Sequence, residues 1–191
     1  MIKLNLIFLP VSLITVLSLS CSRATVRAIE PYSISPAFDL SRSWRIAVLP
    51  PAGGGSDTGD NNGIREFAEL QLMKIPTIVV VERTRVDQVL KEQEFAYSGL
   101  VAPETAVRLG QLLGANAIMS IKIGAVKHDP FFTDSPEQRD AEVFVRIIGV
   151  ENGAVLYSAQ GQGSSFEGAE DALRAAVLTA VLPLLEKGGV K

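Results

Sequence analysis

Asn152-Gly153 stands between two runs that alternate apolar and polar residues, and this arrangement constrains the fold more than any other feature. An Asn-Gly pair accepts the positive φ angles of a tight hairpin, so the flanking runs pair antiparallel. In the first run, Ala141–Val150, Val143, Val145 and Ile147 oppose Glu142 and Arg146; Ala154–Gly161 returns beside it. Upstream, Ala117–Val126 alternates in the same way, with Met119, Ile121 and Ile123 opposite Ser120 and Lys122. A sheet with one apolar face needs a second layer to cover it.

Helices can supply that layer. Ala169, Leu173, Ala176, Val177, Ala180, Val181 and Leu184 recur at helical spacing, which predicts a broadly buried helix over about Gly168–Lys187, with Pro183 placed to bend its last turn. Trp44–Pro50 reads as a first strand, followed by a polar loop to Gly63 and a helix over Ile64–Lys74 that Pro76 stops. Thr77–Val81 is continuously apolar and β-branched, as in a strand buried on both faces. Thr84 is placed to cap the next helix, with Asp87 completing a capping box. Pro103 and Glu104 suit a helix start, and Gly114 suits a left-handed stop. The expected fold is an α/β (α+β) sandwich: one mixed sheet of about five strands with about four helices packed on it, forming one domain over residues 44–191.

Composition removes several function classes. The chain has 191 residues, 18 basic and 21 acidic, and its net charge is −3. Mild acidity without a basic stripe excludes a nucleic-acid partner. One cysteine and one histidine exclude a disulfide framework, a cysteine zinc cluster and a His-pair metal site. The Gly53–Gly63 loop holds Asp57 and Asp60 but no Lys or Arg, so it would repel a phosphate. Thr58 stands where a calcium loop of the EF-hand type needs a carboxylate. No G-x-S-x-G surrounds any serine, and His128 lies beside a polar segment with no base–nucleophile pattern. The expectation is a protein with no catalytic residues, no cofactor and no metal.

Residues 1–20 carry the layout of an export signal: Lys3, then an uncharged apolar run from Leu4 to Leu19, then small residues. The run is shorter than a spanning helix and contains Pro10. Cys21, the sole cysteine, follows directly, where a bacterial lipoprotein carries its acylated residue. Lipid attachment at Cys21 anchors the chain to a membrane, and stable anchoring takes more than one acyl chain. An ordinary secretory cleavage near Ser20 or Ala24 is the alternative. Residues 21–43 read as a lipidated tether, polar, with Pro31 and Pro36 and no strand or helix period. Ser22 after the cysteine implies the outer membrane, on its periplasmic face, by resemblance to enterobacterial lipoprotein sorting.

Two groups of residues suggest contact surfaces. Phe131-Phe132 are adjacent aromatics in a polar loop, so they either tuck over the core or meet a partner. Phe144, Ile148 and Leu156 fall on the sheet face opposite the regular core positions if the hairpin keeps strict register. Either a helix covers that face or it forms a subunit contact. The charges of Glu82–Glu94 read as a solvated helix face with modest ion pairs.

One stretch resembles a known family. Val81-Glu82-Arg83-Thr84-Arg85-Val86-Asp87-Gln88-Val89-Leu90-Lys91-Glu92-Gln93, then Ser98-Gly99-Leu100-Val101 and Leu109-Gly110-Gln111-Leu112-Leu113-Gly114-Ala115-Asn116-Ala117-Ile118, is similar to the CsgG family of bacterial lipoproteins. Asn116 stands where the family has Asp. The resemblance implies a periplasmic α/β domain. The family's channel-forming members add transmembrane β-hairpins, each strand about 9–11 residues long. Lys127–Asp140 is too short and too polar to supply two of them. The implied protein is a pore-less, lipid-anchored assembly or interaction factor of the bacterial envelope, binding another envelope protein or a second copy of itself. A secretion-channel subunit is the first alternative; a periplasmic ligand-binding protein or hydrolase is the second.

Overall fold

The computed structural model describes residues 31–54, 61–93, 99–128 and 138–190. Seven strands form one sheet: β1 (Tyr32–Ile34), β2 (Trp44–Val48), β3 (Ala52–Gly53), β4 (Ile78–Val80), β5 (Ala117–His128), β6 (Arg139–Gly149) and β7 (Val155–Ser165). Four helices accompany them: α1 (Asn61–Leu72), α2 (Arg83–Glu92), α3 (Pro103–Leu113) and α4 (Ala169–Lys187). The sheet order is β1-β7-β6-β5-β2-β4, with β3 paired to β5 off this path. Strands β2, β3 and β4 join by parallel pairing; β5, β6, β7 and β1 join antiparallel. The mixed sheet and the helix count match the sequence reading, and the strand count exceeds it by two.

The two additional strands are short. β1 pairs three residues with β7 inside the segment expected as tether. Phe38 follows it, fully buried and edge-on to Trp44, with ring centroids 4.9 Å apart. The Trp44 indole donates to the Asp39 carbonyl at 2.8 Å. Residues 32–43 are thus part of the folded body. Three residues are too few to display a period of two, and Phe38 and Leu40 stand in a short Pro-containing stretch with no helical or strand period.

Alternation places the two faces of the sheet in two apolar clusters. α1 and α4 cover one face, over Ile46, Val48, Met119, Ile121, Val143, Val145, Ile147 and Tyr157. α2 and α3 cover part of the other face, over Ala47, Leu49, Ile118, Ile148 and Val150. α4 lies so close to β7 that a Cβ at Gly161 would stand 2.0 Å from the Ala176 carbonyl oxygen. The Tyr157 hydroxyl donates to the Ala180 carbonyl at 2.5 Å and ties the same helix down; its burial pushes its pKa up.

Candidate interaction surface

The Asn152-Gly153 turn forms as expected. Gly153 takes φ 69°, and Asn152 Oδ1 accepts from the Ala154 amide at 2.9 Å. The register beyond it is not strict. Ile147 pairs with Tyr157, but Ile148 pairs with Val155, so β7 carries one extra residue there. This bulge turns Leu156 to the α1/α4 side, where it is 4% exposed. Ile148 is 1% exposed in the α2/α3 cluster. The expected patch of Phe144, Ile148 and Leu156 is therefore corrected: the bulge and the helices remove two of its three members from the surface. Phe131, Phe132 and Cys21 lie outside the described residues.

Phe144 remains on a stretch of sheet that α2 and α3 do not cover. It is half-buried, opposite Lys122 of β5 and Gln160 of β7. Glu142 and Arg146 flank it on β6, and the Gln160 amide donates to Glu142. Arg146 pairs in register with Ser120, and both Arg146 Nε and Ser120 Oγ are buried without a hydrogen-bond partner. Phe144 is thus a half-buried aromatic ring among polar side chains, the kind of residue that recurs in protein contacts.

The charges of α2 lie on a largely solvated face with ion pairs, as expected, and one of those pairs reaches a buried cation. Arg65 of α1 is fully buried. Its Nη1 lies 2.6 Å from Asp87 Oδ1, and its Nε lies 3.2 Å from Glu69 Oε1. Arg83 reaches Glu69 at 3.6 Å and Glu66 at 3.5 Å. These pairs tie α1 to α2, with Arg65 and Glu69 buried and Arg83 and Asp87 at the solvent-facing edge of the joint. Burial raises the Glu69 pKa, opposed by the guanidinium groups of Arg65 and Arg83. The missed residue is Arg65; its position four before Glu69, next to Ile64 on the apolar side of α1, is the available sequence signal.

The helix cap also differs. Glu82, not Thr84, precedes α2, and its carboxylate accepts from the amides of Thr84 at 3.1 Å and Arg85 at 3.0 Å. Asp87, the expected capping-box partner, faces Arg65 instead. The bonds to the Thr84 side chain and to these amides lower the Glu82 pKa. A lowered carboxyl pKa contributes stability that is present above the ordinary value and lost as pH falls through the folded value. Glu82→Gln is expected to lower stability at neutral pH and to lose less on acidification than the parent. Melting curves between pH 7 and pH 3 check this; parallel pH profiles for the two proteins would contradict it.

Other hollows offer little chemistry. One of about 510 Å³ lies at the sheet end, lined by Arg42, Trp44, Asn116, Glu151, Asn152 and neighbours. Its two Asn side-chain oxygens already accept from the Arg45 and Ala154 amides. Among the described residues no group of three or more His, Cys, Asp or Glu side chains could hold a metal ion. No described helix is long and apolar enough to cross a membrane.

Residues 66–129 match the family model of the curli production assembly/transport component CsgG. This span contains the whole Val81–Ile118 stretch and carries the CsgG resemblance on α1 through β5. Among solved structures, the chain is similar in fold to a PelC dodecamer from Paraburkholderia phytofirmans: identity 16%, TM-score 0.51, covering 82% of this chain and 96% of that one. It is also similar to lipoprotein GNA1162 from Neisseria meningitidis: identity 20%, TM-score 0.50, covering 74% and 96%. No curated protein sequence matches the chain.

Proposed function

We propose that this chain, with its CsgG-family segment at 66–129, is a lipid-anchored envelope protein that acts by binding and not by catalysis. Its domain serves assembly or secretion in the bacterial envelope, from the periplasmic face of the outer membrane. The family match is the observation that carries the reading. The similar solved structures, one a dodecamer and one a lipoprotein, support an envelope setting and self-association. The open sheet around Phe144 supplies a surface for a partner. A secretion-channel subunit is the competing reading, and conductance across liposomes separates the two: the proposal expects no channel.

Cys21 is the expected anchor, since the leader ends at the chain's one cysteine. Labelled palmitate is expected in the wild type and absent from Cys21→Ser. The substituted protein moves from the membrane fraction to the soluble one, because each acyl CH₂ contributes about 0.8 kcal/mol of membrane affinity. Label in both proteins contradicts the anchor. An envelope complex captured with the wild type, and no hydrolytic turnover, is the expected outcome for the function itself.

A further inference from the structure

The stretch of sheet around Phe144 carries a cation with no counter-ion. Residues paired in register across an antiparallel sheet put their side chains on the same face. One row of that face is Ser120, Arg146 and Ser158, and the next is Lys122, Phe144 and Gln160. The row before them, Ile118 and Ile148, is closed by the α2/α3 cluster. Arg146 is half-buried and makes no ion pair or hydrogen bond with the described residues. Its Nε is cut off from solvent, while its two Nη groups can be reached from the open side. Ser120, beside it, is buried, and its hydroxyl has no partner either. The acid on the same face of β6, Glu142, stands beyond Phe144 and takes the Gln160 amide. A partly desolvated guanidinium without an anion costs free energy in the free protein, and a ligand that brings an anion recovers it.

We infer that Arg146 and Phe144 together bind an extended acidic segment of a partner protein, with an Asp or Glu carboxylate on Arg146 and an apolar side chain two residues away on Phe144. Arg146 and Phe144 are two apart on β6, so about 7 Å separates them along the strand. An extended peptide repeats its own side chains on one side at that same interval. A single guanidinium, with the Ser158 hydroxyl next to it in register, matches one carboxylate. The half-buried ring supplies the apolar contact that fixes which neighbour of the acid is read. Lys122, exposed and paired with Phe144, adds a second positive charge that favours an acidic segment over a neutral one. Glu142 on the same face, and the chain's net charge of −3, oppose a phosphate-dense surface such as an anionic bilayer.

This names the partner chemistry of the proposed binding role and rests on that role. The full chain in mild detergent, carrying isotope-labelled arginine, is titrated with the capped tripeptide acetyl-Glu-Ser-Leu-amide. The Arg146 Nε–H resonance, identified by its absence in Arg146→Lys, is expected to shift saturably. Acetyl-Gln-Ser-Leu-amide binds about tenfold or more weaker, as loss of a charge-assisted hydrogen bond implies. Acetyl-Glu-Leu-Ser-amide, with the same composition and the apolar residue one place out, also binds more weakly, and Phe144→Ala removes that difference. Arg146→Met without peptide is expected to melt no lower than the parent, whereas an arginine with a structural role would lower the melting temperature. No shift with the Glu peptide, an equal shift with the Gln peptide, or a lower-melting Arg146→Met overturns the inference. A larger shift from inorganic phosphate or phosphatidylglycerol vesicles than from the Glu peptide also overturns it, and assigns the cation to a phosphate surface. Envelope crosslinks unchanged in Arg146→Gln overturn this face and leave the envelope-binding role standing; a wild-type chain with no crosslinked partner sinks that role whatever the peptides do.

Discussion

Gly161→Val is expected to destabilise the domain by about 3 kcal/mol or more, the upper range for forcing extra atoms into a packed core. A Cβ at Gly161 would stand 2.0 Å from the Ala176 carbonyl oxygen and 2.7 Å from the Ala180 amide nitrogen. Both are backbone atoms inside α4 and cannot rotate away. Gly163 makes the same approach, with a Cβ 2.3 Å from the Ala176 nitrogen and 2.4 Å from the Ala172 carbonyl oxygen. The two glycines let the helix lie directly on β7. The helix then brings Leu173, Ala176, Val177, Ala180, Val181 and Leu184 into the core, so any lift exposes that whole stripe. For a chain of this length the cost lowers the melting temperature by roughly 6–12 °C. Gly114→Ala is the control, because its Cβ meets nothing within 4 Å; it carries only the strain of φ 62°. Equal melting temperatures for Gly161→Val and the parent would contradict the close packing.

Arg65→Met is expected to cost about 3 kcal/mol or more, as removal of one member of a buried ion-pair network does. Arg65 is fully buried and bridges Glu69 on its own helix to Asp87 on α2. Without it, the Glu69 carboxylate keeps Arg83 but loses its nearer cation. Asp87 is half-exposed and water can satisfy it, so Asp87→Asn is expected to cost less. The pH dependence gives a second readout. Burial already raises the Glu69 pKa, and the loss of Arg65 raises it further. A raised carboxyl pKa costs stability above the folded value, and that cost disappears as pH falls through it. The deficit of Arg65→Met relative to the parent therefore shrinks on acidification. Urea titrations at two pH values check this, and a deficit that grows at low pH would contradict it.

The regular parts of this fold are visible in the sequence because each repeats its own signal. Met119, Ile121 and Ile123 alternate, Pro103 and Gly114 bracket α3, and the α4 stripe recurs over about four turns. Features set by a single residue are not visible. The bulge at Leu156 changes which face that residue takes, and no local residue type announces it. The burial of Arg65 depends on α2 arriving beside α1, a tertiary event. Asp87 suits a capping box by spacing, yet the Arg65 cation holds it, and Glu82 takes the cap. The candidate surface was legible only in part: Phe144 falls on the face its alternation predicts and stays half-buried, outside the α2/α3 cluster that takes Ile148.

The central claim is that the chain works by holding another envelope component at the membrane. Crosslinking the full chain in intact envelopes, then capturing it and weighing the products, tests this most directly. The account predicts discrete products containing this chain with an envelope protein or with a second copy, abundant for the wild type and reduced for Cys21→Ser. Recovery of the wild-type chain alone at every crosslinker concentration would contradict it.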